Sequence, residues 1–373
     1  MTQTTSSTTR CRSVDNPGDG WTRREFLRGA AAGIVAVNQL PKAMGPPQFA
    51  YVGCGDDSLR VFRVHGEFWT QIQRVPSRAP AYVLVSPAQR TLYVANDVDE
   101  HEGQARGTVE AFDIRPEDGR LTLLSRTALS LSATRPRHMA VSPDGKLLAV
   151  AAYGGGIYNL VAIAQDGSLG QVSSIFKDAG CGPHAQLQAS AHPHTLLFDA
   201  GGRHLLSSDF GSDRLSVFAL EDGGLRRRMQ RSTGEGSGPR NCVLHPSGSF
   251  VYTWHGLEGT LVCYRYGGGG VCEEIQRVPL SAGGLTVHPS GRMLYTAEGG
   301  WRIDATDGRL SRGQRLPAAS QIVVSHDGTS VYFLDGLTGS IDQATADDRT
   351  GEVHCRTNAA VVDNLSSIAL KTV

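Results

Sequence analysis

The sequence has no excess of charge of either sign and little helical patterning. Lys and Arg together number 36, and Asp and Glu together also number 36, so the chain is formally neutral at pH 7. A balanced charge gives no electrostatic reason to expect nucleic acid or an anionic surface as a partner, and no basic stripe is present. Helical patterning is nearly absent after residue 50. These features favour an all-β chain that acts on something other than nucleic acid.

The chain also lacks a hydrophobic run long enough to span a bilayer. The longest candidate, residues 29–37, is far shorter than the roughly 20 residues that a membrane-spanning helix needs. It follows Arg23-Arg24-Glu25-Phe26-Leu27, and paired arginines before a modest apolar run are typical of a twin-arginine export signal. Residues 1–45 are therefore predicted to be an export leader, which places the mature chain in the periplasm or outside the cell. A disordered basic tail is the alternative.

Cysteine is scarce and shows no metal-binding spacing. Of the 7 cysteines, Cys11 lies in the predicted leader, and the others form no CxxC pair, so a structural zinc site is not expected. Cys263 and Cys272 flank a glycine run that predicts a hairpin turn, and pairing across its two strands is one possibility. Buried free thiols are the preferred interpretation. The six cysteines after the leader are Cys54, Cys181, Cys242, Cys263, Cys272 and Cys355.

Glycine and turn signals are abundant, and one turn phrase recurs along the chain. Ser142-Pro143-Asp144-Gly145 and Lys146 precede the apolar run of residues 147–150, and related phrases begin at 86, 199, 245, 288 and 325. Turn residues followed by short alternating strands, repeated every 37 to 57 residues, are typical of a propeller with four-stranded blades. His245, His288 and His326 lie within these phrases and are predicted to cap their own turns.

The repeat predicts seven blades within one domain, residues 46–373. Six turn phrases are visible, and residues 51–64 resemble a seventh blade without its inner strand. The C-terminal run, residues 365–370, resembles the missing strand, so pairing of the two termini would close the ring and remove the open sheet edges. The blade around Trp301 is expected to lack part of a strand. Such propellers are frequently monomeric, and their sites lie at the central channel.

Several motifs after residue 150 resemble those of the seven-bladed propeller lactonases, the 6-phosphogluconolactonase-like proteins that include a carboxymuconate-lactonising enzyme. The resemblance covers the chain from about residue 50 to its C-terminus and is most specific between 182 and 260. The motifs are Tyr153-Gly154-Gly155-Gly156, Asp166-Gly167-Ser168-Leu169-Gly170, Gly182-Pro183-His184-Ala185, His192-Pro193-His194, Asp209-Phe210-Gly211-Ser212-Asp213-Arg214 and Gly236-Ser237-Gly238-Pro239-Arg240.

The resemblance implies a site at the channel mouth, and two of its residue types are present. His194 matches the family's histidine and Arg240 its first arginine. The sequence departs from the family at two further positions: His255-Gly256 replaces an Asn-Glu pair, and Gly299 stands where a second arginine is expected. Asp209, Glu258 and Glu298 are the carboxylates that would substitute for the missing Glu.

These residue types suit the opening of a lactone, which is a cyclic ester. A neutral His194 would accept a proton from water, and Arg240 would hold the oxyanion or an acidic group of the substrate. The further substrate-binding candidates are Arg137, His138, Tyr153, His184, His255 and Glu298, and Trp254 is expected to line the mouth or to pack between blades. The spacing of His184, His192 and His194 leaves a metal site as a weaker alternative.

The predicted function is hydrolysis of a small sugar or organic-acid lactone, without nucleotide, flavin, haem or other cofactor. Phosphogluconolactone itself is not expected as the substrate, because that metabolite is cytosolic and the predicted leader would remove the protein from it. Two alternatives stay open: a non-catalytic exported propeller that binds a protein or a carbohydrate, and a lactonising isomerase that runs the ester chemistry in reverse.

Overall fold

The structure, a computed structural model, describes residues 48–267, 269–317 and 319–371. The predicted export leader, residues 1–45, lies outside this range, so its prediction stays as made. Within the described ranges no helix is long and apolar enough to cross a membrane.

The described chain forms seven four-stranded antiparallel sheets and no helix, which confirms the all-β propeller prediction. Blade 1 holds β28 (Leu365–Lys371), β1 (Gln48–Cys54), β2 (Ser58–His65) and β3 (Phe68–Pro76). Blade 2 holds β4 (Pro80–Val85), β5 (Thr91–Asn96), β6 (Thr108–Ile114) and β7 (Leu121–Ala128). Blade 3 holds β8 (Pro136–Val141), β9 (Leu147–Ala152), β10 (Ile157–Ile163) and β11 (Leu169–Lys177). Blade 4 holds β12 (Pro193–Phe198), β13 (His204–Asp209), β14 (Arg214–Glu221) and β15 (Gly224–Ser232).

The remaining three blades follow the same order. Blade 5 holds β16 (Pro239–Leu244), β17 (Phe250–His255), β18 (Thr260–Gly267) and β19 (Gly270–Pro279). Blade 6 holds β20 (Leu285–Val287), β21 (Met293–Thr296), β22 (Gly299–Ile303) and β23 (Leu310–Arg312). Blade 7 holds β24 (Gln321–Val324), β25 (Ser330–Asp335), β26 (Ser340–Ala346) and β27 (Val353–Val361). Blade 6, expected to lack part of a strand, has all four, although none is longer than 5 residues.

The two ends of the described chain close the ring in blade 1. β28 is the innermost strand of this sheet and pairs antiparallel with β1, with Tyr51 opposite Ala369 and Val52 opposite Ile368. This arrangement confirms the predicted closure. It leaves the inner side of β1 paired, so β28 forms the channel-facing edge of blade 1, as the first strand does in each of the other blades.

The core lies between neighbouring blades rather than within any one sheet. Each second strand is sandwiched between two other sheets, so both of its faces are apolar: all six residues of β5 are buried. The outermost strands have one face in solvent, so exposed and partly buried residues alternate along them, as in β3. Period-two alternation in the sequence therefore marks only the outer strands, and continuous apolar runs mark the inner ones.

The recurring turn phrase caps its own backbone as predicted, except at one position. The ring Nδ1 of His245 accepts a hydrogen bond from the amide of Ser247, and His288 does the same with Ser290. In the phrase of blade 7 the capping residue is Ser325, whose Oγ accepts from the amide of Ser330. His326, the next residue, is exposed. The prediction that it caps the turn was wrong, because the capping position is the first residue of the phrase and His326 is the second.

The described cysteines are free thiols. Cys54, Cys242 and Cys263 are buried, whereas Cys181 and Cys355 are exposed, so the prediction of burial was wrong for the latter two. The thiol of Cys263 lies 3.3 Å from the carbonyl oxygen of Gly308, to which it donates. Cys263 is thus a free thiol in this structure, and the side chain of Cys272, its possible partner, lies outside the described residues.

Candidate functional site

The innermost strands of the seven blades surround a central cavity of about 930 Å³. Contacts between neighbouring strands place their first residues at the same end. The Tyr82 and His138 rings lie 4.3 Å apart, the amide of Leu196 donates to Nδ1 of His138, and Thr195 Oγ1 donates to the carbonyl of Arg240. We call this end the mouth. The residues that line it are Tyr82, Arg137, His138, His194, Arg240, Asn241, Gln321 and Ser366.

A β-bulge at the start of five innermost strands explains which side chains reach the mouth. In β28, β4, β8 and β12 one residue is skipped by the pairing with the second strand, and in β16 two residues are skipped. A bulge leaves its residue unpaired and re-aims the side chain. The bulged residues are Ser366, Ala81, Arg137, His194 and Arg240 with Asn241, and all of them line the cavity.

His194 and Arg240 are therefore equivalent residues of neighbouring blades, and the structure brings them together. The Arg240 Nε donates a long hydrogen bond, 3.4 Å, to Nε2 of His194. Because Nε2 accepts, the proton of a neutral ring is on Nδ1, which is buried and has no hydrogen-bond partner among the described residues. Burial, followed by the charge of Arg240, lowers the pKa of His194 to about 3. His194 is thus neutral at every physiological pH.

Arg240 presents a guanidinium that no carboxylate of the described residues neutralises. The guanidinium lies 5.5 Å from the ring centre of Phe210 and 5.6 Å from that of Trp254. Its alkyl stem passes over Gly256: a Cβ at this residue would stand 2.7 Å from Cδ of Arg240. The chain has glycine where the family has Glu, and in this structure the arginine stem lies directly over that position.

Arg137 and Tyr153 extend the mouth on the side of blade 3. Arg137 forms an ion pair with Asp97 at 2.9 Å, and Arg135 shares the same carboxylate. Both guanidinium groups lie within 6 Å of the Tyr153 ring centre, at 5.8 and 5.7 Å. Tyr153 also stacks on His192 at 4.4 Å and meets the His194 ring edge-on at 6.3 Å. One carboxylate thus serves two arginines, which leaves this side of the mouth positive.

His138 lies at the mouth but is committed to its neighbours. Its ring packs on Tyr82, and its Nδ1 accepts from the backbone of the next blade. Burial lowers the pKa of His138 to about 4, so this ring is also neutral. It offers only Nε2, which then carries the proton, as a hydrogen-bond donor.

Four predicted binding residues do not line the cavity: Tyr153, whose contacts with Arg137 and His194 are given above, and three others. His184 is exposed in the segment between blades 3 and 4, where Nδ1 accepts from the amide of Leu187. His255 is fully buried within blade 5 and contacts Glu258 and Tyr264. The Glu298 carboxylate accepts the backbone N–H groups of Ser281 and Ala282 and fixes that turn. Their motif positions suggested a binding role, but each side chain is occupied in supporting its own blade or turn.

None of the three proposed replacement carboxylates is in contact with His194 in the described hydrogen-bond network. Asp209 is buried, and its Oδ1 accepts the amides of His192, Gly211 and Ser212. Glu258 pairs with Arg277 at the outer side of blade 5, and Glu298 holds its turn. None of these three carboxylates therefore takes the place of the family's Glu beside His194.

The histidine group considered as a metal site is not arranged to bind one. The three rings are engaged separately: His184 with Leu187, His192 through Nδ1–H to the carbonyl of Tyr153, and His194 with Arg240. In the described part of the chain, no group of three or more His, Cys, Asp or Glu side chains is placed to hold a metal ion.

Sequence reasoning missed Phe210 and the bulges, and left Trp254 undecided. A signal for the bulges was present: proline is the first residue of β4, β8, β12 and β16, and the residue that reaches the mouth follows it. Proline has no N–H to donate to a ladder, so it suits a strand start or a bulge.

The chain is similar to known proteins over most of its length. Residues 51–365 match the model of the family described as "Lactonase, 7-bladed beta-propeller". A 6-phosphogluconolactonase of Bacillus subtilis is 27% identical over 222 residues, which are 59% of this chain and 61% of that protein. The chain thus spans less than two thirds of the length of this relative. A 6-phosphogluconolactonase of Formosa agariphila is 22% identical over 316 residues, 78% of this chain and 88% of that protein.

A solved structure agrees on the architecture. The periplasmic gluconolactonase of Pseudomonas aeruginosa superposes with a TM-score of 0.76 at 22% identity, covering 87% of this chain and 99% of that one. At this identity the likeness concerns the fold.

Proposed function

The chain belongs to the seven-bladed β-propeller lactonase family, and from that premise we propose that it hydrolyses a small sugar or organic-acid lactone at the channel mouth. The observation that carries the proposal is the contact between neutral His194 and the unneutralised Arg240 at the entrance of a cavity of about 930 Å³. A base and an anion-binding group side by side are what ester hydrolysis requires.

In the proposed reaction, a water displaces the long hydrogen bond from Arg240 at Nε2 of His194, attacks the lactone carbonyl carbon and gives its proton to that nitrogen. The carbonyl oxygen becomes an oxyanion beside the Arg240 guanidinium. Collapse of this tetrahedral species breaks the bond to the ring oxygen, which takes the proton back from His194 and leaves as a hydroxyl. The product is an open hydroxy acid. Because His194 is a weak base, the positive charge of Arg240 supplies more of the stabilisation than the proton transfer does.

Two features favour a small molecule over a protein or carbohydrate partner of a non-catalytic propeller. Arg240 has no structural Asp or Glu partner in the described residues, and the cavity next to it is open. An arginine that had become structural would be paired, and its cavity would be filled. Lactonisation uses the same residues in reverse, and nothing in the geometry favours that direction.

The test is hydrolysis by the purified chain over a panel of sugar and acyl lactones, followed with a pH indicator. We expect His194→Ala to lower kcat/KM about 10²-fold and Arg240→Ala about 10²- to 10³-fold. His184→Ala and Arg302→Ala, which change exposed side chains away from the cavity, serve as matched controls and should keep wild-type rates. A folded wild type that opens no lactone in the panel would favour the binding-module alternative.

We also propose that the chain is exported through its paired arginines. The support is the Arg23-Arg24 motif itself and the relative described as a periplasmic gluconolactonase. Cell fractionation of the wild type and of an R23K/R24K variant tests this: the wild type should be found outside the cytosol and the variant inside it. Equal distribution of the two would overturn the proposal, and it would return cytosolic phosphogluconolactone to the list of substrates.

A further inference from the structure

We infer that Phe210 and Trp254 are positioning residues, which hold the Arg240 guanidinium between their rings as a preorganised subsite for an anionic substrate group. The inference rests on the proposed function for its kinetic consequences, but its structural content can be tested without turnover.

The guanidinium lies over both rings at nearly equal distances from their centres, 5.5 Å for Phe210 and 5.6 Å for Trp254. A guanidinium over an aromatic face is attracted by the ring quadrupole, and its weak hydration makes this contact less costly than for an ammonium group. The aromatic rings do not neutralise the charge as a carboxylate would. Arg240 is therefore held in place and still positive.

The aromatic side chains are themselves fixed. Phe210 is 6% exposed and Trp254 is 9% exposed. The indole Nε1 of Trp254 donates to the carbonyl of Leu280 at 3.0 Å. Its six-membered ring packs on Gly283, where a Cβ would stand only 2.1 Å from the ring. Two fixed rings in contact with the guanidinium limit the rotamers of the Arg240 side chain.

Gly256 leaves room for the alkyl stem of Arg240. Since a Cβ at residue 256 would lie 2.7 Å from Cδ and 3.2 Å from Cγ of Arg240, any larger residue must move the stem. An alanine there keeps the charge of Arg240 and changes only where the charge lies. The Gly256→Ala variant therefore tests the position of the guanidinium at constant charge, whereas removal of Arg240 changes both.

Holding the charge in advance lowers the ordering cost of binding an anion. We therefore expect the rings to affect anion binding and, because the proposed reaction forms its oxyanion beside the same guanidinium, kcat/KM as well. A merely structural role would change stability and leave the phosphate inhibition constant and kcat/KM of the folded protein untouched.

The structural test is NMR of the Arg240 side chain, assigned by its absence in Arg240→Lys. Protons of a guanidinium between two ring faces are shifted upfield by the ring currents. We expect this shift in the wild type and its reduction in Phe210→Leu and Trp254→Leu. Absence of any upfield shift in the wild type would overturn the inference, whatever the protein catalyses.

The functional test compares variants on an anionic lactone and with inorganic phosphate as a competing anion. We expect Trp254→Leu and Gly256→Ala to raise the phosphate inhibition constant and to lower kcat/KM, each by about fivefold to tenfold. Trp254→Phe should keep most of the wild-type values. Trp301→Leu is the matched control, because Arg312 lies 5.3 Å from that ring in blade 6 and outside the cavity. It should leave both constants unchanged.

The outcomes separate this inference from the proposed function. Hydrolysis that persists with unchanged kcat/KM and an unchanged phosphate inhibition constant in Trp254→Leu and Gly256→Ala overturns the positioning role and leaves the lactonase intact. Upfield-shifted Arg240 protons that move in the variants, without turnover of any lactone, support the positioned cation and overturn the hydrolase.

Discussion

The basicity of one histidine decides how the proposed reaction depends on pH. The motif predicted a His beside an Arg, but it did not predict that burial and the guanidinium would lower the pKa of His194 to about 3. That value depends on the neighbours that the fold supplies, which the one-dimensional sequence does not specify. The residue type was predictable, and its strength as a base was not.

We expect the kcat/KM of the wild type to show no ascending limb near pH 6.5. Because the pKa of His194 lies at about 3, the ring is already neutral, and able to accept a proton, at pH 5 and above. A profile between pH 5 and 8, corrected for spontaneous lactone hydrolysis, checks this. Arg240→Gln removes a positive neighbour and should raise the pKa, which would bring any limb nearer to neutrality in that variant. A wild-type limb centred at 6.5 would identify another group as the base.

His255 has a different consequence, for stability in acid. It is fully buried beside Glu258, Tyr264 and Arg277, and burial lowers its pKa to about 4 despite the hydrogen bond that its ring donates to the Glu258 carboxylate. The unfolded chain binds a proton at this residue below its ordinary pKa and the folded chain does not, so stability is lost as the pH falls below about 6.5.

We expect His255→Gln to weaken this dependence. Between pH 7 and pH 5 the free energy of unfolding should fall by about 2 kcal/mol less than in the wild type. Urea denaturation at both pH values measures the difference. His354→Gln, on an exposed outer strand, is the control and should follow the wild type. The same pH slope in His255→Gln and the wild type would contradict the buried, neutral state of this ring.

At the scale of strands, the sequence predicted the repeating turn and the strand after it, but not the bulges that aim side chains at the mouth. A bulge is a property of pairing between two strands, and it shows in one strand only as a proline at its start. Arg137, His194 and Arg240 were consequently found through family motifs, although the fold places them at equivalent positions of three consecutive blades.

Tyrosines of the second strands link neighbouring blades. The hydroxyl groups of Tyr51, Tyr93, Tyr252 and Tyr295 each donate to a glycine carbonyl in the next blade, at Gly119, Gly167, Gly308 and Gly351. The acceptor lies in the turn between the third and fourth strands in each case. The repeat thus encodes contacts between blades as well as the strands within them.

We expect Tyr295→Phe to destabilise the fold by about 1–2 kcal/mol, because it leaves the carbonyl of Gly351 without its donor. Tyr266→Phe is the matched control. The Tyr266 hydroxyl is buried and has no hydrogen-bond partner among the described residues, so its removal should cost nothing measurable. Thermal unfolding of both variants gives the comparison. Equal destabilisation by the two substitutions would show that the link between the blades contributes little.

At the scale of the whole molecule, the sequence predicted seven blades and their closure but not the polarity of the channel. Six turn phrases mark six blades, since each lies between the first and second strands of one sheet, and the seventh blade is the one that the two ends of the described chain close. The positive charge at the mouth comes from three arginines, Arg135, Arg137 and Arg240. Among the described residues only the Asp97 carboxylate forms an ion pair with any of them. The expectation of a monomer stays a prediction.

Closure by β28 makes the stability of every blade depend on the last residues of the chain. β28 pairs with β1 along its inner side, and its Ser366 Oγ donates to the carbonyl of Pro80 in the next blade, while Ser367 Oγ accepts from the amide of Val83. Without it, the N–H and C=O groups of β1 would face the channel unpaired, and one gap in the ring would expose the apolar faces that blades 1 and 7 bury against each other.

We therefore expect a chain that ends at Val362 to lose the single cooperative unfolding transition and to aggregate. A chain that ends at Lys371 keeps the whole of β28 and should unfold like the wild type, which makes it the matched control. Calorimetry and light scattering distinguish the two, and a peptide of residues 363–373 added in excess should restore the transition if pairing at β1 is what is lost. A wild-type Tm in the shorter chain would mean that the ring holds together through the contacts between blades alone, with the tyrosine links as their strongest polar part.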